Sequence, residues 1–257
     1  MSHGELQRST NLADFVQDRL APLGLSRRSE WGYERFSDIV TALYEGLGAK
    51  SVLEVGGGRS PILSETNIRT SGVRYAINDV SSAELARAPA WIDKWCFDIA
   101  GSEVPPAALG SFDFIFSKFV LEHVTDGRRA YRNMLSLLKP GGVVLVYHPT
   151  LFALPFVINR LMPEKLTDAV LRAARPWRNA EGSPKFPAYY SLCRASSGVA
   201  RTIRTIGYSD VVSIPFYGHI YYSRIPGLAA LHRQVSNLIA AADFRPLAAY
   251  CFTIARK

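Results

Sequence analysis

Five short apolar runs alternate with helical patterns between residues 51 and 147, and nothing else in the chain constrains its fold as much. The runs are Ser51–Val55, Arg74–Asn78, Trp95–Phe97, Phe112–Ser117 and Val143–Tyr147. The last, VVLVY, lacks polar alternation, as suits a strand covered on both faces. Ser81 and Glu84 have the spacing of a capping box, so a helix is predicted after the second run. Ser60-Pro61 predicts another after the first, with a capping serine followed by proline at the first helical position. Ala130, Met134, Leu135 and Leu138 share one helical face, and Pro140-Gly141-Gly142 is expected to stop that helix. Strand–helix–strand repetition of this kind builds a parallel sheet with right-handed crossovers.

The flanks are organised differently. Leu12, Phe15, Val16 and Leu20, then Phe36, Ile39, Val40, Leu43 and Leu47, predict two amphipathic helices over residues 1–49. Residues 50–148 hold the alternating core. Residues 149–188 contain six prolines among the apolar pieces Leu151–Met162 and Leu166–Ala174. That is too long for a plain connection and is expected to be a lid or substrate-binding insertion. Residues 189–257 resume regular structure. A helix capped at Ser196 or Ser197 ends at Gly207, a strand spans Asp210–Phe216, a helix carries Leu228, Leu231, Val235, Leu238 and Ile239, and Leu247–Ala255 is a last strand. One domain of 257 residues is expected, long enough to bury its own core.

Charge is unevenly placed. Residues 1–150 hold 16 Lys/Arg against 17 Asp/Glu, and residues 151–257 hold 14 against 5, within an overall +8. The basic second part reads either as a solvated face or as a surface for something anionic, such as an acidic substrate or a membrane. Cys96, Cys193 and Cys251 are far apart with no C-x-x-C, so neither a disulfide framework nor a zinc site is expected, which fits a reducing compartment. MSHGELQRST has no apolar leader pattern, and no run approaches a membrane span. A cytoplasmic protein without a metal is the expectation.

The first strand runs into Gly56-Gly57-Gly58. Such a turn lets a ligand approach the main chain and is expected to offer free amides. Three acidic residues stand at the C-terminal ends of successive strands: Glu54, Asp79 and Asp98. Each aspartate taken alone reads more readily as a helix cap or loop residue. Together they mark the strand ends where ligands of open α/β sheets bind, with Asp79 placed to accept from both hydroxyls of a ribose. The dinucleotide fingerprint needs a third glycine where this chain has Pro61, and Glu54 is unwelcome beside a pyrophosphate. A cationic nucleoside ligand fits better than a nicotinamide dinucleotide.

LEVGGG (53–58), INDVS (77–81), CFDIA (96–100), FDFIFSKFVLEHV (112–124) and LLKPGGVVLVYHP (137–149) resemble the class I, Rossmann-like S-adenosylmethionine-dependent methyltransferases. The resemblance covers about residues 50–150, and AAYCFTIARK is similar to the family's ending. It implies a doubly wound, seven-stranded, mostly parallel sheet of order 3-2-1-4-5-7-6 with strand seven antiparallel. It also implies roles. Glu54, Gly56 and Gly58 would hold the methionine part of S-adenosylmethionine, Asp79 the ribose, and Asp98 with Ile99 the adenine. Ser117 and Lys118 would meet the methionine end, and S-adenosylhomocysteine would be the product. His123, in Leu121-Glu122-His123-Val124, reads as a structural or substrate-side residue.

Methyl transfer from a sulfonium is an in-line displacement, so positioning and exclusion of water dominate. A base is needed only for a protonated acceptor such as a hydroxyl. His148, directly after strand five, and His219, after strand six, are the candidate bases. Tyr189, Tyr190 and Tyr217 are candidate pocket residues, with apolar bodies and polar tips. The expected activity is methylation, at oxygen, of a small-molecule or lipid-like metabolite, with an anionic one as an option. Peripheral membrane contact is a further option; no familiar nucleic-acid module is present. The alternatives are a fold that binds the cofactor without transferring methyl, a nicotinamide-dependent oxidoreductase, and a non-enzymatic binding protein.

Overall fold

The computed structural model describes residues 11–153, 187–219 and 226–257. The first ten residues and residues 154–186 of the insertion, which hold all of its second apolar piece and most of its first, lie outside the described residues. Seven strands form one sheet: β1 (Ser51–Val55), β2 (Arg74–Asp79), β3 (Asp93–Cys96), β4 (Phe112–Lys118), β5 (Leu138–Pro149), β6 (Asp210–Phe216) and β7 (Tyr250–Arg256). Their order is β3-β2-β1-β4-β5-β7-β6. β1 to β5 pair in parallel, and β7 runs antiparallel to both β5 and β6. This is the sheet expected from the sequence.

Period-two alternation sends successive side chains to opposite faces. On one face Val52, Phe114, Phe116, Tyr147 and Phe252 meet α1 (Leu12–Leu20) and α3 (Phe36–Gly46) through Leu12, Val16, Phe36, Ile39 and Leu43. On the other, Leu53, Ile115, Val144 and Val146 meet α6 (Gly127–Leu137) and α7 (Ser197–Ile206) through Tyr131, Met134, Val199 and Ile203. Each large apolar side chain enclosed this way contributes about 1.5–3 kcal/mol. Between α1 and α3 lies a short helix not predicted, α2 (Ser29–Glu34). Among the described residues no helix is long and apolar enough to cross a membrane.

Several local expectations are corrected. Ser60-Pro61 does not open a helix. The Ile62 amide is drawn to the Glu54 carboxylate, so residues 59–63 wrap as a loop, and α4 (Glu65–Ser71) begins later with Ser64 as its cap. The capping box at Ser81 does open α5 (Ser82–Ala86). α6 ends at Leu137. The Lys139–Gly142 run belongs to β5, where Gly141 takes φ +77° beside a register shift against Phe112 and Phe114. Leu138 is therefore a strand residue. β3 begins and ends earlier than expected, so Asp98 lies two residues beyond it.

The last helix, α8 (Pro226–Ala241), forms as predicted but docks on a different face. His232 and Ser236 are buried, whereas Leu228, Leu231 and Leu238 are exposed, Leu238 by 71%. The cause is polar. The His219 amide donates to His232 Nε2 at 3.1 Å, and Ser236 packs against the Gly218 backbone.

Candidate functional site

The glycine turn sits at the C-terminal end of β1, and its geometry is fixed from β2 and β4. Gly56 and Gly57 donate their amides to the Asn78 carbonyl, at 2.7 and 3.1 Å. The expectation that the turn offers these amides to a ligand is thus corrected: they are engaged inward, and the helix that would have aimed its N-terminus here starts further on. Gly56 has φ +78°, and a Cβ there would lie 2.3 Å from Val120 Cγ2. No side chain fits. Gly58 has φ +48°, and a Cβ would lie 3.2 Å from Asp79 Oδ2, so this glycine opens the floor beside the aspartate.

Asn78 also works through its side chain. Its Nδ2 donates to the carbonyls of Trp95 and Phe97, at 3.1 and 2.8 Å, holding the stretch that leads to Asp98. Asn133 Nδ2, on α6, donates to the carbonyls of Ile99 and Gly101, at 2.8 and 3.0 Å. Asp79 Oδ1 accepts from the Ser81 amide at 2.9 Å and Asp98 Oδ1 from the Ala100 amide at 2.8 Å. Each carboxylate keeps acceptor capacity, since an ionised carboxyl has about four lone-pair sites. The structure thus brings Gly58, Asp79, Asp98 and Ile99 to one rim.

Glu54 lies beneath the turn rather than on its rim. It is 3% exposed. Tyr75 Oη and the Ile62 amide both donate to its Oε2, the latter at 3.0 Å. Burial pushes its carboxyl up from 4.5 to about 7, against those two hydrogen bonds and the charge of Lys118. Burial likewise lowers the Lys118 ammonium. Lys118 Nζ lies over the rings of Tyr33 and Phe36, at 4.1 and 5.2 Å from their centroids, and donates to the Tyr33 carbonyl at 3.3 Å. α2 and α3 are thereby fastened over the end of β4. Ser117 is buried on the opposite face of the same strand. Phe119 follows in the left-handed region, φ +58°, an uncommon conformation for a bulky residue that tends to mark functional loops.

The two candidate bases part company. His148 does not reach an open site. β5 continues to Pro149, so alternation puts the imidazole on the same face as Val144 and Val146, fully enclosed. Nδ1 lies 3.0 Å from the Pro149 carbonyl and Nε2 3.2 Å from Thr253 Oγ1, and burial lowers its pKa to about 4. His219 stands at the strand-end edge, with Nε2 2.7 Å from Tyr250 Oη. Tyr250 packs on Phe119 and Tyr147, at centroid distances of 5.5 and 5.7 Å, and so links His219 to the residues above the glycine turn. Among the described residues the buried Tyr147 hydroxyl has no hydrogen-bond partner. Sequence reasoning missed Tyr250, which opens β7 opposite Pro149 and Phe216; its only signal in the sequence was an aromatic side chain within the predicted last strand.

The remaining candidates fall into two groups, His123 with Tyr189 and Tyr190 around Glu122, and Tyr217 apart from them. His123 Nδ1 lies 2.9 Å from the Pro187 carbonyl, and the Tyr189 and Tyr190 amides both donate to the Glu122 carbonyl. Tyr189 is exposed. Tyr217 is buried, its hydroxyl donating to Asp243 at 3.0 Å. Among the described residues no group of three or more His, Cys, Asp and Glu side chains is arranged to hold a metal.

A family model described as "Methyltransferase domain" matches residues 7–192. The chain belongs to this family. The sheet is that of its class I, S-adenosylmethionine-dependent members. Phosphoethanolamine N-methyltransferase 1 of Triticum aestivum is 34% identical over 125 residues, covering 46% of this chain and 24% of that protein. The tRNA N(3)-methylcytidine methyltransferase trm140 of Schizosaccharomyces pombe is 29% identical over 130 residues, covering 45% of this chain and 41% of that protein. The chain spans less than half the length of either relative. Among solved structures, Haemonchus contortus phosphoethanolamine N-methyltransferase 2 with phosphomonomethylethanolamine and S-adenosylhomocysteine has TM-score 0.51 at 15% identity, covering 91% of this chain and 60% of that one. The [4+2]-cyclase SpnF has TM-score 0.51 at 18% identity, covering 96% and 94%. These two likenesses concern the methyltransferase fold alone.

Proposed function

We propose that this methyltransferase-family chain transfers a methyl group from S-adenosylmethionine to a hydroxyl of a small-molecule or lipid-like acceptor. The observation that carries the cofactor half is the inward use of the Gly56 and Gly57 amides above the Glu54 carboxyl. A turn with those amides engaged and an acid beneath it is poorly suited to a pyrophosphate and well suited to a cation. Asp79, beside the space that Gly58 leaves open, would accept from the ribose hydroxyls. Asp98 and the Ile99 backbone would border the adenine, and the backbone of Ser117 and Lys118 the methionine end.

When bound, the cofactor would supply a methyl on positively charged sulfur, with a neutral thioether as the leaving group once the acceptor's lone pair takes the methyl. This chain's residues orient the acceptor and move its proton. Phe119, Tyr147 and Tyr250 enclose the end of β4 and β5, and tight enclosure excludes water from the reacting atoms. Tyr250 Oη takes the acceptor's proton while passing its own to His219 Nε2. That role follows from the 2.7 Å contact and replaces the one expected for His148. The test is turnover of methyl-labelled donor with fractionated extract, scored by S-adenosylhomocysteine formed. Binding without that product would support the second reading, a cofactor-binding fold used for other chemistry, which the likeness to a named cyclase keeps in view.

A further inference from the structure

Beyond Tyr250 a cavity of about 180 Å³ opens between the 27–30 segment, the end of β6 and α8. Arg27, Arg28, Arg233, His219, His232 and Ser236 line it, and Glu30 is the one carboxylate among the described lining residues. Backbone pairing builds this wall. The Tyr217 amide donates to the Arg27 carbonyl at 2.8 Å, the Ser29 amide to the Tyr217 carbonyl at 3.0 Å, and Ser29 Oγ to the Gly218 carbonyl at 2.5 Å. Two arginines from the N-terminal part are therefore pinned opposite a third on α8, with more than two hundred residues between them in sequence.

The charges around this cavity are not balanced from within. Arg27 pairs with Asp243 at 3.0 Å, outside the lining. Arg28 lies 3.7 Å from Glu30, a loose contact between exposed groups and worth little. Among the described residues Arg233 meets no carboxylate within ion-pair distance. The His219 amide occupies His232 Nε2, so the His232 ring turns its other nitrogen elsewhere. Two guanidiniums facing one carboxylate leave a net positive, partly enclosed site, the setting in which arginine takes a phosphate or carboxylate by charge-assisted hydrogen bonds.

We propose that this cavity binds the anionic group, a phosphate or carboxylate, of the methyl acceptor. The proposal rests on the methyl-transfer reading and adds the substrate class. An acceptor anchored there reaches past the His219–Tyr250 pair toward Phe119, so its reactive atom and its anionic end occupy opposite sides of Tyr250. The anion sets which molecules enter, and the aromatic enclosure sets where the methyl lands.

The test follows the histidine ring resonances of the full chain during titration with inorganic phosphate and, separately, with glycerol 3-phosphate and phosphatidylglycerol vesicles. S-adenosylmethionine affinity is measured in parallel by calorimetry. Saturable shifts of the His219 and His232 rings are expected, and an Arg28→Gln/Arg233→Gln variant should weaken soluble phosphate by about tenfold or more while leaving cofactor affinity unchanged. Shifts with vesicles alone would assign the anion to a lipid headgroup at the same site. The single Arg233→Gln change, at an exposed helix position, should give a smaller loss in the same direction. Silent His219 and His232 rings under every probe, or equal phosphate affinity in both variants and the parent chain, would overturn the proposal with cofactor binding intact. Loss of cofactor binding in the parent chain with phosphate binding retained would instead overturn the methyl-transfer reading.

Discussion

Replacing Glu54 by glutamine separates what the buried acid does for stability from what it does for the ligand. The geometry makes the swap clean, because Tyr75 Oη and the Ile62 amide both donate to the same oxygen, Oε2, which an amide carbonyl can replace. In the parent chain the carboxyl has its pKa raised from 4.5 to about 7 by burial. A carboxyl that holds its proton more tightly when folded contributes stability that is fully present below 4.5 and lost as pH rises through about 7. That gap, at about 1.4 kcal/mol per pH unit, comes to about 3 kcal/mol. Glu54→Gln carries no such penalty. Urea unfolding should therefore show the variant gaining on the parent by about 3 kcal/mol between acid and mildly alkaline pH. Its affinity for S-adenosylmethionine should fall by about tenfold or more in calorimetry. The parent chain should also release part of a proton on binding the cation near pH 7, visible as a dependence of the binding heat on buffer. Parallel stability curves for the two proteins would refute the raised carboxyl, and unchanged cofactor affinity would remove Glu54 from the seat of the cation.

Four further outcomes follow from the same geometry. Asn78→Ala deletes two hydrogen bonds to partly buried carbonyls and should lower stability by about 1–3 kcal/mol in chemical unfolding, with a weaker cofactor site because the stretch leading to Asp98 loosens. Gly56→Ala must accommodate φ +78° and Val120 at 2.3 Å, and should abolish cofactor binding in calorimetry; full retention would contradict the close approach. Tyr250→Phe should reduce turnover by about 10²–10⁴-fold with cofactor affinity intact once an acceptor is in hand, and an unchanged pH–rate profile would exclude the relay. His148, neutral and enclosed with a pKa near 4 against 6.5, contributes stability that is present above 6.5 and lost as pH falls toward 4, so His148→Gln should unfold at lower pH than the parent in an acid titration followed by circular dichroism.

The sheet was legible because its signals are local. Runs such as FDFIFS and VVLVY suit burial on both faces, the Ser81 box caps a helix where expected, and Asp210–Phe216 matches β6 residue for residue. The positions of Asp79 and Asp98 near strand ends were legible for the same reason, whereas the burial of Glu54 beneath the turn was not. What escaped depended on contacts between elements. The length of β5 past Pro140-Gly141-Gly142 is set by its pairing with β4 and β7, and that extra length sends His148 inward. The role of Asn78 needs three elements at once: its own strand, the turn after β1 and the stretch after β3. Tyr250 and the three arginines of the basic cavity come from both ends of the chain, and no spacing rule connects them. The outward stripe on α8 misled for a related reason, since hydrogen bonds from the loop after β6 outweighed its apolar periodicity.

The contact between Gly56 and Val120 carries a lesson for protein engineers. The LEVGGG segment cannot be transplanted by itself into another α/β scaffold. Its bend is held by two amides that donate to a carbonyl of the neighbouring strand, and its clearance is defined by a valine more than sixty residues downstream. A graft that omits either support would reproduce the letters of the motif and lose its shape.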